Sequence, residues 1–195
     1  MDLGISGKTA LVSASSAGLG YASALALAEA GCKTVISGRN EERLMHAASK
    51  IPNSIPITAD VSTVKGSQTL VQDAKSQLGT NIDILITNAG GPPTGTFAST
   101  DVDQYLSAIE LNLMSVVAMC KETVPDMQEK KWGRILAITS ISVRQPIPNI
   151  MLSNTARAGV TGFLKTMALE IASDGVTVNS IPVSYTHLTL PTIAI

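Results

Sequence analysis

Histidine, cysteine and aromatic residues are scarce in this chain, and neither sign of charge dominates it. Two histidines, His46 and His187, argue against a His-rich metal centre and a Ser-His-Asp hydrolase. Two cysteines, Cys32 and Cys120, cannot build a disulfide framework and read as reduced core thiols of a cytoplasmic protein. Aromatics at 3% leave no stacking platform for single-stranded nucleic acid. Fourteen Lys+Arg against fifteen Asp+Glu leave a net charge of −1, with no basic surplus to hold a phosphodiester backbone. No apolar run approaches the roughly 18 residues of a membrane span. Asp2 stands where a signal peptide would carry basic residues. The expectation is a cytoplasmic protein that engages neither nucleic acid nor membrane.

What is present is a core. With 195 residues, 45% of them hydrophobic, the chain suffices for one domain. Short β-rich runs alternate with helical stretches. Strands are expected at Lys8–Ser13, Lys33–Ser37, Ile55–Ala59, Ile82–Thr87, Arg134–Thr139 and Val176–Ile181, the third weakened by Pro56. A helix is expected over Leu19–Ala30, stopped by Gly31. Another opens at Asn40 with a cap residue and early acids. Tyr105, Ile109, Leu113, Val116 and Cys120 recur at helical spacing, as do Val160, Phe163, Leu164, Met167 and Ile171. Alternation with near-continuous apolar strands predicts an α/β fold: a doubly wound parallel sheet with helices on both faces.

The first strand runs into Ser13-Ala14-Ser15-Ser16-Ala17-Gly18-Leu19-Gly20, and a helix follows. Small residues there let the backbone approach a pyrophosphate, and the helix N-terminus offers it free N–H groups. The second strand ends at Ser37-Gly38-Arg39-Asn40. An acid at that place grips a ribose 2′-hydroxyl and selects NAD. Here Arg39 stands instead, and a guanidinium suits a 2′-phosphate, so NADP is favoured over NAD. The plain alternative makes Arg39 a solvated surface charge.

Together these motifs resemble the short-chain dehydrogenase/reductase family, over about residues 5 to 181. The resemblance implies a single-domain Rossmann fold with strand order 3-2-1-4-5-6. The general look is closest to the 3-oxoacyl-carrier-protein reductase branch. Ser13 through Gly20 match the family's TGxxxGxG loop, with Ser13-Ala14 for Thr-Gly. Asp60-Val61 match the pair that contacts adenine, and Asn88-Ala89-Gly90 match the end of the NNAG motif. Asn112 matches the helix asparagine that holds a relay water, and Ser140 the catalytic serine that polarises a carbonyl. Plain structural readings stand beside these: Asp60 as a helix cap, Asn88 as a turn residue, Ser140 as an ordinary strand-end serine. Asn112, among apolar neighbours, should have a hydrogen-bond partner.

The family's Tyr-x-x-x-Lys pair is changed. At the usual distance beyond Ser140 the chain reads Ser153-Asn154-Thr155-Ala156-Arg157, so serine replaces the tyrosine and arginine the lysine. A phenol can be tuned to give its proton near neutral pH, and an aliphatic hydroxyl cannot. Arg157 keeps the charge and donors to hold the cofactor's ribose. Three outcomes follow: slow or specialised NADP-dependent reduction of a carbonyl, binding without turnover, or a shifted assignment involving Ser142 or Thr155.

The resemblance stops after Pro182. Residues 1–182 are read as a Rossmann domain lacking its seventh strand. Residues 183–195 are read as a non-native tail, such as a translated adaptor, with a divergent natural terminus as the alternative. The sixth strand would then be an open sheet edge. Relatives assemble through the helices that carry Asn112 and Arg157, so a homo-oligomer is expected.

Overall fold

The computed structural model describes residues 2–184. Six parallel strands form one sheet: β1 (Thr9–Val12), β2 (Lys33–Gly38), β3 (Ile55–Thr58), β4 (Ile84–Thr87), β5 (Gly133–Ser140) and β6 (Val176–Val183). Their order is β3-β2-β1-β4-β5-β6, as expected. Pro56, which lacks an N–H, is tolerated because β3 lies at an edge of the sheet. β6 forms the other edge, and it continues past Ile181 to pair Val183 with Ser140. Of the tail expected over residues 183–195, Val183 ends β6 and residues 185–195 lie outside the described residues.

The helices are α1 (Gly18–Glu29), α2 (Glu41–Ala48), α3 (Val64–Leu78), α4 (Val102–Ile109), α5 (Ser115–Glu129) and α6 (Met151–Ile171). Strand side chains alternate between two cores. Leu11, Val35, Leu85 and Ile135 pack with Leu70, Met119, Met127 and Leu164 of α3, α5 and α6. Ala10, Val12, Ile36, Ile84 and Ile86 face Ala24, Ala28, Leu44 and Ala47 of α1 and α2. Each central strand is thus buried on both sides, which is why these runs are apolar throughout.

Three local readings need correction. No helix is expected between the third and fourth strands, yet α3 forms there and buries one face through Leu70, Val71, Ala74 and Leu78, with Gly66 diluting its first turn. Its cap is Thr63, whose Oγ1 accepts from Gly66 N–H; Asp60 does not cap it. The helix expected from Tyr105 to Cys120 is not uniform: Glu110–Met114 form a π turn between α4 and α5, and Asn112 sits in it. Asn40 caps α2 as expected, its Oδ1 accepting from Arg43 N–H at 2.7 Å. Both cysteines are free and buried, and burial pushes the Cys120 thiol up to about 12.

Candidate functional site

The glycine loop lies at the carboxyl end of β1, where the chain's windings diverge to β2 and β4. Ser13 and Ser15 were expected at the cofactor, but both are fully buried and do not line the cleft. Ser13 Oγ donates to Asn88 C=O at 2.6 Å and accepts from Asn88 N–H at 2.8 Å. Ser15 Oγ donates to Val12 C=O at 2.7 Å and accepts from Ser37 N–H at 2.9 Å. They pin the loop to β4 and β2. Asn88 Nδ2 adds a third tie by donating to Ala14 C=O at 3.0 Å, more than a turn residue does. Gly20 also acts by shape: a Cβ there would lie 2.6 Å from Ala14 O. Leu19, half-buried, packs on the α1 side core.

The loop leaves the start of α1 open. Ala17 is its N-cap and has no side chain to accept a hydrogen bond, and the first turn carries no acid. Gly18 holds φ +59° with open space where a side chain would be. The N–H groups of this turn are therefore available to an anion.

A cleft of about 730 Å³ runs outward from here. Ser16, Gly18, Arg39, Asp60, Val61, Asn88, Ala89 and Gly90 all line it, so the sequence motifs converge as expected. Asp60 Oδ1 accepts from Ser62 N–H at 3.0 Å. That hydrogen bond, helped by the charge of Arg39 against a small burial penalty, holds its carboxyl below the ordinary value. The cleft also gains a charged residue not expected there: Arg43, one turn into α2 beyond the Asn40 cap. Its spacing of four from Arg39 was a usable signal. Neither Arg39 nor Arg43 has a side-chain hydrogen bond or ion pair among the described residues.

Beyond Gly91 a smaller recess of about 220 Å³ contains Ser140, Ser153 and Arg157, again as expected. Ser140 ends β5, and its Oγ accepts from Ser142 N–H at 3.1 Å. Ser153 and Arg157 lie one turn apart on α6, and Arg157 Nε donates to Ser153 Oγ at 3.2 Å. Arg157 Nη1 donates to Ile138 C=O at 3.1 Å. Burial pushes the guanidinium pKa down. Among the described residues no tyrosine lines the recess; Ser142 is buried and Thr155 bonds back to Met151 C=O, so neither replaces Ser153 in it.

Asn112 lies behind this recess. Its Nδ2 donates to Gly90 C=O at 2.9 Å, giving the expected partner. Among the described residues its Oδ1 has no hydrogen-bond partner, and neither have Thr87 Oγ1 and Thr139 Oγ1. All three residues and Arg157 line one chamber of about 10 Å³, close to the space of one water. The clustered site can bind a dinucleotide along the cleft and a small molecule in the recess.

Known proteins share this architecture. Residues 8–191 match the family described as short chain dehydrogenase. A 3-oxoacyl-[acyl-carrier-protein] reductase of Synechocystis sp. is 34% identical, over 91% of this chain and 73% of that protein. The crystal structure of L-sorbose reductase from Gluconobacter frateurii, complexed with NADPH and L-sorbose, superposes with a TM-score of 0.88. It is 32% identical, over 93% of this chain and 71% of that one. A short chain oxidoreductase from Pseudomonas aeruginosa PAO1, described as containing an atypical catalytic center, gives 0.82 at 28% identity, over 90% and 69%. With its strand order and a family match over residues 8–191, the chain belongs to the short-chain dehydrogenase family of oxidoreductases.

Proposed function

We propose that the protein is an NADP-dependent oxidoreductase interconverting a carbonyl and a secondary alcohol, with Ser153 and Arg157 in the places of tyrosine and lysine. The observation that carries it is the cleft itself: an uncapped helix start at one end and two unpaired arginines at the other. A pyrophosphate fits the first, and a 2′-phosphate the second. The end of β2, where an acid would grip a bare hydroxyl, carries Gly38 and Arg39 instead. When bound, NADPH supplies a hydride.

The chain's own groups position and polarise. Ser153 Oγ already accepts from Arg157, which leaves its O–H to donate into the recess. Ser140 Oγ likewise accepts from Ser142 N–H and keeps its own proton to donate. These two hydroxyls hold a carbonyl oxygen and stabilise negative charge as it develops, with Arg157 behind them. Neither an aliphatic hydroxyl nor a guanidinium gives up its proton at neutral pH, so the proton comes from water. Asn112, Thr87 and Thr139 hold a water next to Arg157 for that supply. Arg157 has donors left for the ribose as well.

Binding separates this from other dinucleotide folds. NADPH should bind at least tenfold tighter than NADH by fluorescence titration. Arg39→Asp should erase that preference and Arg43→Ala should reduce it, leaving NADH binding unchanged. Equal affinities in the wild type would remove the argument.

The second reading is a dinucleotide-binding module without turnover, favoured by the loss of the phenol. Ser153→Tyr with Arg157→Lys should raise carbonyl reduction if proton supply limits the rate. A turnover unchanged from zero supports the module.

We also propose a homo-oligomer through α5 and α6, which is consistent with Leu169 of α6 standing 85% exposed. Light scattering reports the mass.

A further inference from the structure

Arg157 is a half-buried cation with no acid paired to it among the described residues. Its two hydrogen bonds go to a neutral hydroxyl and a neutral carbonyl. The ion pairs among the described residues involve Lys75, Lys130 and Lys131, never Arg157. Among the described residues no aspartate or glutamate lines the recess in which it lies. A guanidinium has five N–H donors, so three remain beyond these two bonds. Holding such a group out of water without a counter-charge is costly. A ribose held there is neutral and leaves the charge uncompensated.

The rest of the recess is specific too. Two hydroxyls, Ser140 and Ser153, have their protons free to donate. Ile147, Ile150, Val183 and Pro92 give the recess an apolar side, with Thr94, Thr139 and Ser184 also on its wall. Its volume of about 220 Å³ lies below the usual 300–1,000 Å³ of ligand pockets. The required occupant is small and carries one anionic oxygen pair, one neutral acceptor and a short apolar part.

We infer that the recess takes a small oxo acid, or the corresponding hydroxy acid, with its carboxylate on Arg157 and its carbonyl or hydroxyl oxygen between Ser140 and Ser153. A planar carboxylate meets the guanidinium fork with two parallel hydrogen bonds, which a ketone or an ester cannot do. This names the substrate class of the site described above and rests on that reading.

Calorimetry on the full chain, with and without NADPH, tests it with 2-oxobutanoate and its methyl ester. The acid should bind at least tenfold tighter than the ester, and the difference should shrink as salt is raised. Arg157→Lys should keep part of the preference, and Arg157→Met should abolish it while NADH and NADPH are still distinguished at Arg39. If Arg157→Met does not fold, the acid-to-ester ratio and its salt dependence in the wild type decide alone. Equal binding of acid and ester by a chain that takes up NADPH would overturn the inference and leave the cofactor reading standing. A folded chain that binds no NADPH, whatever the acid does, would overturn the reading beneath it.

Discussion

Ala14 occupies a glycine's place. It sits at φ +46°, where a Cβ crowds the backbone, between β1 and the open helix start. The strain costs about 1–2 kcal/mol. Ala14→Gly relieves it but lends the unfolded chain extra freedom, worth about 0.4–1 kcal/mol. The balance predicts a gain of about 0.5–1 kcal/mol in a urea melt; a loss would show that the loop bears no strain. Gly20 is the opposite case, since its missing Cβ makes room for Ala14 O and Asn88. The loop is legible in the sequence as a small-residue turn between strand and helix, while the direction of its serines is not. Ser13 and Ser15 are polar and small, the composition of a ligand loop, yet their bonds run inward to β4 and β2. Whether a serine in such a loop faces ligand or backbone depends on neighbours that arrive from distant sequence.

At the scale of elements, α1 and the π turn do most to shape the site. An uncapped helix start is a small defect in the free protein, because N–H groups lack partners. Ala17→Asp would supply the cap and a favourable charge for the helix, worth about 1 kcal/mol. The same carboxylate would then occupy the place of the pyrophosphate. The expected outcome is a higher melting temperature together with at least a tenfold loss in NADPH affinity. If the variant gains stability and binds as before, the phosphates lie elsewhere. The π turn has a different lesson. Apolar spacing along Tyr105, Ile109, Leu113 and Val116 announced a helix, and a helix is there. One widened turn leaves little trace in periodicity, but it lets Asn112 reach Gly90 C=O and face the chamber beside Arg157. Helix α3 escaped notice for a simpler reason: its apolar face is short, and Gly66 lies in its first turn.

Across the whole molecule, function lies at the carboxyl ends of the strands and a structural tie at the other. Asp83, just before β4, accepts from Thr9 N–H at 3.1 Å and from Lys130 Nζ at 3.2 Å. Burial would push its pKa up; those bonds and the Lys130 charge outweigh burial and hold it below the ordinary value. Its folded pKa therefore lies below its unfolded one. The stabilisation is complete above the unfolded value of about 4 and is lost as pH falls through the folded value. Asp83→Asn should cost about 1–3 kcal/mol at pH 7 and should lose less than the wild type between pH 5 and pH 3. Parallel loss in both proteins, followed by urea melts across that range, would assign acid sensitivity to other carboxylates.

The amino-acid sequence by itself determined the layer architecture, the strand order through its family motifs, and the chemical identity of the site. Apolar runs buried on both faces, a small-residue loop between strand and helix, and the Ser153 and Arg157 substitutions are local patterns, and local patterns can be read in one dimension. Only the tertiary structure decided that Arg43 joins Arg39 and, among the described residues, that three unpartnered oxygens share one chamber and that no acid stands beside Arg157. Those are facts about which atoms approach from other parts of the chain. They follow from the packing of α2, α6 and the π turn around the sheet, which no spacing along the sequence records.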